Sequence, residues 1–300
     1  MLVNFFLSLY KYTLMNKFLL FLSFYLLLST NIVPQNNDPI VKTEFREYRF
    51  GITALSSLGW LTPLQQKIYS RGKIGLGFGW GFNVEKNFNP NTSFRTGFSI
   101  STFKARLNYY DDDLSLNHKT YYVLDAQEEF VNWSSNTTPP DGDLYQLINR
   151  KYKINYFNIP FILKLKTNEI GYFTYYGEFG ASIGFKTKAL VEDDIIALDS
   201  NLLSLDNFGN TSTKKDIDIK EGTKTIRLGL SLGAGAEYNL SGNTSLFFQL
   251  NWNYFLLDQL KSADKEKFLR KETSEASGIF ESVGAKSIPG TIVLSFGVLF

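Results

Sequence analysis

His118 is the only histidine of the 300-residue chain, and it follows a run of three aspartates, Asp111, Asp112 and Asp113. An imidazole beside carboxylates is the donor set of a metal site or of a general acid–base pair. The aspartates lack the spacing of a calcium-binding loop, and a single histidine in a polar connection is usually a surface residue. The chain has no cysteine, which excludes thiolate metal sites and cysteine nucleophiles. We therefore predict no catalytic residue, no metal ligand and no cofactor.

A second set of ionisable side chains recurs inside segments in which large apolar residues alternate with small or polar ones. The charges share a face with glycine and serine, opposite the apolar face. Charges enclosed in a narrow interior must be paired. We predict that they form a structural network of ion pairs, and a proton or ion path is the alternative. The predicted network consists of Arg49, Lys73, Glu85, Arg95, Glu178, Lys186, Arg227 and Glu237.

The elements that must position these charges are β-strands, because the alternation has a period of two. Residues 73–85, KIGLGFGWGFNVE, show it most clearly: Ile74, Phe78 and Trp80 point one way, and glycines lie between them. A soluble sheet would bury the large face against a second layer, whereas a membrane barrel turns that face towards lipid. The pattern recurs in segments near the length that a tilted membrane strand needs, so it favours the membrane barrel.

The alternation recurs eight times, which predicts an all-β fold, an eight-stranded antiparallel transmembrane β-barrel. Pro160 lies inside the fourth segment, where we expect a bulge or a local break. The eighth segment ends in Phe300, and a terminal aromatic resembles the signal that outer-membrane assembly machinery recognises. The predicted strands cover residues 47–55, 73–85, 93–103, 153–166, 172–186, 225–238, 245–256 and 291–300.

Short and long connections alternate along the chain. The short connections contain turn residues, and barrels of this kind have short periplasmic turns and long extracellular loops. We therefore expect both chain termini on the periplasmic side. The predicted short connections are 86–92, 167–171 and 239–244, and the long ones are 56–72, 104–152, 187–224 and 257–287.

The N-terminal segment predicts export. Lys17 precedes an apolar run, Phe18–Leu28, that has the length of a signal-peptide core and falls short of the about 20 residues that a membrane anchor needs. We predict a signal peptide at 1–33, a short periplasmic segment at 34–44 and the barrel at 45–300, located in the outer membrane. The expected partners are outer-membrane lipid and the barrel-assembly machinery. A net charge of +2 gives no indication of a nucleic-acid partner.

Several segments resemble the PorT-like outer-membrane barrel family of Bacteroidetes. YFNIPFILKLK, residues 156–166, is similar to a strand of that family with the pattern Tyr-x-x-Ile-Pro, which would make Pro160 a family feature. The opening YRFGITALSSLGWLTP, the glycine-rich LGLSLGAGAEYNL and the final LSFGVLF extend the resemblance over nearly the whole mature chain. The resemblance implies the barrel fold and a link to type IX protein secretion, with components of that system as partners.

Three classes of function remain open from the sequence. The first is a non-enzymatic accessory barrel in type IX secretion or in envelope maintenance. The second is a surface adhesin or binding barrel that acts through long extracellular loops. The third is a small membrane-embedded lipid-modifying enzyme, which the scarcity of catalytic groups disfavours. We expect the first class and no enzymatic activity.

Overall fold

The computed structural model describes residues 45–64, 69–110, 119–198, 211–241, 244–261, 267–273 and 278–300. Within these ranges the chain forms strands only, and no helix is long and apolar enough to cross a membrane. The predicted signal peptide 1–33 and periplasmic segment 34–44 lie outside the described residues. The strands are β1 (Tyr48–Pro63), β2 (Ser70–Asn89), β3 (Thr92–Asn108), β4 (Thr120–Leu124), β5 (Asp143–Lys166), β6 (Phe173–Ala197), β7 (Ser212–Asp218), β8 (Ile226–Ser241), β9 (Thr244–Phe255), β10 (Arg270–Glu272), β11 (Phe280–Ser282) and β12 (Ser287–Leu299).

Eight of these strands close into a ring, which confirms the predicted barrel. The order around the ring is β1, β2, β3, β5, β6, β8, β9 and β12, and β12 pairs with β1 again. Every neighbouring pair in the ring is antiparallel. Because the ring is closed, the wall of the barrel has no free strand edge, and its backbone groups bond within the sheet.

The burial pattern of the ring is the inverse of that of a soluble protein. Large apolar side chains point outward, and Ile52, Phe78 and Leu232 are each about 60% exposed. Polar side chains point inward, and Glu85 and Ser93 are fully buried. A contiguous apolar surface of this size marks contact with lipid, as predicted from the alternation.

Glycines on the inner face allow neighbouring strands to approach closely. At Gly77 on β2, an added Cβ would lie 1.9 Å from the carbonyl oxygen of Thr102 on β3. Gly97 on β3 has φ +137°, a backbone conformation that favours glycine. Gly97 faces the interruption that Pro160 introduces, because the β3–β5 partners stop at Arg95–Ile162 and resume at Ser99–Asn158 without a change of register. The predicted irregularity at Pro160 is therefore a local break and not a bulge.

The connections at one end of the ring are short, namely residues 90–91, 167–172 and 242–243. Both ends of the described chain lie there too, since Phe300 and Phe50 exchange backbone hydrogen bonds of 2.8 and 2.9 Å. Three of the predicted long connections lie at the other end. The prediction of a long first connection at 56–72 is wrong: β1 continues to Pro63, because its backbone stays paired with β12, and β2 starts at Ser70.

The remaining four strands extend the sheet beyond the barrel at the long-connection end. β4 and β7 pair with the prolonged ends of β5 and β6, and β10 pairs with β4 and β11. We call this region the cap: strands β4, β7, β10 and β11, residues 143–152 of β5 and 187–197 of β6, and the connecting residues 109–110 and 125–142 that bond to them. Its interior is apolar, with Tyr122, Leu147 and Ile195 fully buried. The sequence predicted this region as loops, so its strands are a finding of the structure.

The sidedness of the barrel can be tested with single cysteines, since the chain has none of its own. Glu128→Cys in the exposed part of the cap is expected to react with a membrane-impermeant maleimide on intact cells. Pro90→Cys, in the short turn between β2 and β3, is expected to react only after the outer membrane is permeabilised. If Pro90→Cys were labelled on intact cells and Glu128→Cys were not, the barrel would have the opposite orientation to the one predicted.

Candidate functional site

Five charged side chains from four strands meet inside the barrel near the short-turn end. Glu85 on β2 accepts hydrogen bonds from Lys164 Nζ at 3.0 Å and from Lys166 Nζ at 2.8 Å, both on β5. Arg49 on β1 donates from Nη1 to Glu237 Oε2 on β8 at 2.6 Å, and Lys164 also contacts Glu237. We call these five residues the lumen cluster.

A second buried pair lies further into the barrel. Arg95 on β3 donates to Glu178 Oε1 on β6 at 2.8 Å and to Gln249 Oε1 on β9 at 2.5 Å. Tyr176 donates to the same oxygen of Gln249 at 3.1 Å, and Lys164 Nζ lies 4.0 Å from the centre of the Tyr176 ring. Tyr176 thus connects the lumen cluster to the pair formed by Arg95 and Glu178.

Alternation explains why these side chains converge. Each lies on the small-residue face of its strand, and an eight-stranded barrel encloses a space that side chains can fill. Every cation here has a carboxylate partner, as buried charges require. The bonds cross-link strands on opposite sides of the ring, so the chemistry of this site is charge pairing that fills the interior. A cavity of ≈ 130 Å³ adjoins it, with Arg95, Ser101 and Ser182 in its lining.

Arg227 belongs to the predicted network by sequence, but it lies apart from the lumen cluster. Its guanidinium carbon is 3.7 Å from the centre of the Tyr156 ring and 4.6 Å from that of Phe255. Its Nη2 donates to Asn158 Oδ1 at 2.7 Å, and within the described residues it makes no ion pair. Stacking on two aromatic rings therefore takes the place of a carboxylate partner.

Lys186 and Lys73 also lie outside the lumen cluster. Lys186 Nζ donates to backbone carbonyl oxygens of Lys220 and Thr223 at 2.6 and 2.9 Å, and among the residues that the structure describes no carboxylate is bonded to it. Lys73 is exposed. The physical reason is a bulge in β2, where Gly72 and Lys73 together face Arg106 of β3, so Lys73 leaves the inner face.

Lys164 and Lys166 are the functional residues that sequence reasoning missed. Both side chains are at most 6% exposed; Lys164 pairs with Glu85 and Glu237, and Lys166 pairs with Glu85. The signal was present in the fourth predicted strand, 153–166, where the large apolar residues Leu163 and Leu165 alternate with these two lysines. The same alternation puts Lys164 and Lys166 on the inner face.

A further buried ion pair lies in the cap. Arg150 Nε and Nη2 on β5 donate to both oxygens of Asp193 on β6, at 2.8 and 2.7 Å. The Arg150 guanidinium carbon also lies over the rings of Tyr122 and Phe130, at 5.5 and 5.1 Å. Burial and the negative charge of Asp193 raise the pKa of Tyr122, which keeps its hydroxyl neutral. This pair fixes the two prolonged strands to each other inside an otherwise apolar core.

The candidate chemistry at His118 and at residues 111–113 lies outside the described residues. Within the described ranges, no group of three or more histidine, aspartate or glutamate side chains is arranged to hold a metal ion. Phe300 is half exposed at the end of β12, on the apolar face. Its role in assembly remains a prediction.

The buried pair of Arg95 and Glu178 predicts a large stability effect. Glu178→Gln leaves the Arg95 charge without a carboxylate, and we expect the free energy of unfolding to fall by about 3–5 kcal/mol. Glu192→Gln, on the same strand, breaks a half-exposed pair with Lys151 and is expected to cost less than about 1 kcal/mol. Urea unfolding of the two variants in detergent micelles measures both effects. Equal unfolding midpoints would contradict the predicted role of burial.

Comparison with known proteins gives a family. A family model described as an outer membrane protein beta-barrel domain matches residues 35–258. No curated protein matches the sequence. Among solved structures, Neisserial surface protein A is 12% identical, with 83% of this chain and 95% of that chain covered and a TM-score of 0.33.

Two further solved structures are similar at the same low level of identity. Ail of Yersinia pestis is 13% identical, covering 85% of this chain and 100% of that chain, with a TM-score of 0.31. OprG of Pseudomonas aeruginosa is 12% identical, covering 83% of this chain and 95% of that chain, with a TM-score of 0.35. Because the family model matches well over half of the chain, this protein belongs to the family of outer membrane proteins with that beta-barrel domain.

Proposed function

We propose that this outer membrane barrel is a non-enzymatic binding platform that recognises a partner outside the cell through its cap. The observation that carries the proposal is the buried core of the cap. Four short strands and the ends of β5 and β6 enclose it, and Tyr109, Tyr122 and Leu147 are fully buried there. Ordering these residues costs conformational entropy, and insertion of a barrel into a membrane does not need it.

The barrel interior supports binding over transport. Glu85, Lys164 and Glu178 are each less than 3% exposed and lie within the bonded set that spans the lumen. Opening a path for solutes would separate buried charges from their partners, which is strongly unfavourable. The side of the protein that remains free to act is the cap and its exposed surface. Connecting segments on a rigid scaffold are the usual place for recognition.

The second candidate is an accessory role in type IX secretion or in envelope maintenance, with a component of the envelope as the partner of the cap. One feature favours it, the Tyr-x-x-Ile-Pro strand. Tyr156 of this strand is buried and stacks on Arg227, and Pro160 occupies the local break in the β3–β5 pairing. The pattern therefore has a structural use in the barrel. The third possibility, a lipid-modifying enzyme, would have to use His118, and nothing in the described residues favours it.

Paired variants of adjacent residues test the cap as the binding element. Asp193→Asn leaves Arg150 buried without a carboxylate and is expected to loosen the cap, whereas Glu192→Gln changes a half-exposed pair. In cells that lack the wild-type gene, we expect Asp193→Asn to lower adherence to protein-coated or polysaccharide-coated surfaces several-fold. Glu192→Gln is expected to restore adherence fully, and both variants are expected to insert normally.

The same strains separate the two candidates. The binding platform predicts that deletion lowers adherence and leaves the amount of secreted protein in the medium unchanged. The secretion role predicts that deletion lowers secreted protein. A deletion strain that matches the wild type in both measurements would contradict both candidates.

A further inference from the structure

The outward face of the barrel changes character abruptly on one side, towards the cap. On β3 and β5 the apolar belt ends at Ile100 and Phe157, which are cross-strand partners. Beyond it, outward residues on four adjacent strands are cationic. We call them the basic patch: Lys73 on β2, Lys104 and Arg106 on β3, Lys151 and Lys153 on β5, and Lys188 on β6.

The strand register places like charges directly opposite each other. Lys104 is the cross-strand partner of Lys153, and Arg106 is the partner of Lys151. Lys73 joins them, because the bulge in β2 puts it opposite Arg106. Like charges in opposite positions of an antiparallel pair are destabilising, so this arrangement calls for an external anion.

The protein neutralises only part of this charge. Among the described residues, ion pairs join the basic patch to two carboxylates: Glu192 lies 2.8 Å from Lys151, and Asp216 lies 3.7 Å from Lys153. Six cations less two carboxylates leave an excess of four positive charges. In the second of these ion pairs the side chains of both Lys153 and Asp216 are exposed, and solvent screening weakens the attraction between them.

The height of the basic patch identifies the occupant. Lys104 and Lys153 lie four residues beyond Ile100 and Phe157, which is roughly 13 Å along the strand and less along the membrane normal, because barrel strands tilt. That is the level of the lipid headgroups. The cations are also concentrated on one side: on the other half of the ring Trp60, Leu256 and Ile288 end the outward apolar face, and beyond them Lys224 pairs with Asp258 at 3.6 Å, while Lys286 is exposed.

We propose that the basic patch binds the phosphate groups of anionic lipid in the leaflet on the cap side. With the long connections outside the cell, this is the outer leaflet, and the acyl chains of the bound lipid lie against the apolar belt below. The site therefore holds a phosphorylated lipid at one defined side of the barrel. It fixes the rotation and depth of the barrel in the membrane.

Native mass spectrometry of the purified barrel with diphosphorylated lipid A as the probe tests the proposal. The wild-type barrel is expected to bind this lipid at least tenfold more tightly than phosphatidylcholine, and less tightly at high salt. Lys104→Gln with Arg106→Gln is expected to weaken binding roughly 30-fold, about fivefold for each cation. The matched control, Lys215→Gln with Lys220→Gln, removes two exposed lysines of the cap side and is expected to change binding less than twofold.

Three outcomes would overturn the proposal. One is equal lipid binding by the two double variants, with unfolding midpoints showing that both are folded. Another is equal affinity of the wild-type barrel for lipid A and for phosphatidylcholine. The third is that the barrel binds inorganic phosphate but does not bind lipid A, which would make the basic patch a site for a free anion.

Discussion

The hydrocarbon core of a membrane offers no hydrogen-bond partners to a polypeptide backbone. This protein satisfies that constraint by closing its strands into a ring, in which the backbone groups bond to one another. The ring closes because β1 pairs with β12 over the register Gly51–Leu299 to Pro63–Ser287, and because β5 pairs with β6. Closure removes the free edges of the barrel wall. It also inverts the usual distribution of residues, since the outer face meets lipid and the inner face must accommodate polar groups.

The interior and the cap follow from this inversion. Charges that face the lumen are held in pairs that bridge distant strands, and the lumen cluster occupies the end near the short turns. At the opposite end the interior becomes apolar, and the prolonged strands β5 and β6 carry the cap. Paired charges thus cross the lumen near one end and apolar side chains occupy the other, so the proposed recognition is assigned to the surface of the cap. The basic patch lies where the cap meets the membrane, so the proposed lipid site is at the same end of the barrel as the cap.

The period-two alternation was sufficient to predict the eight ring strands and their lipid-facing residues, because one face of each strand is uniformly large. It did not predict the cap. In β4 every residue is buried, so TYYVL has no alternation to detect, and β10 and β11 are only three residues long. Lys73 was assigned inward because a bulge, which shifts the alternation by one residue, leaves no mark in a single sequence. The pair of Arg150 and Asp193 escaped notice because both residues lay in segments predicted as loops.

Quenching of tryptophan fluorescence by brominated lipid tests the inverted arrangement most directly. Trp80 and Trp252 are about half exposed on the apolar belt, whereas Trp133 is fully buried in the cap. In vesicles of brominated phosphatidylcholine, single-tryptophan variants that retain Trp80 or Trp252 are expected to be strongly quenched, and the variant that retains Trp133 is expected to keep its emission. Quenching of Trp80 and Trp252 by aqueous iodide, with no effect of the brominated lipid, would contradict the account.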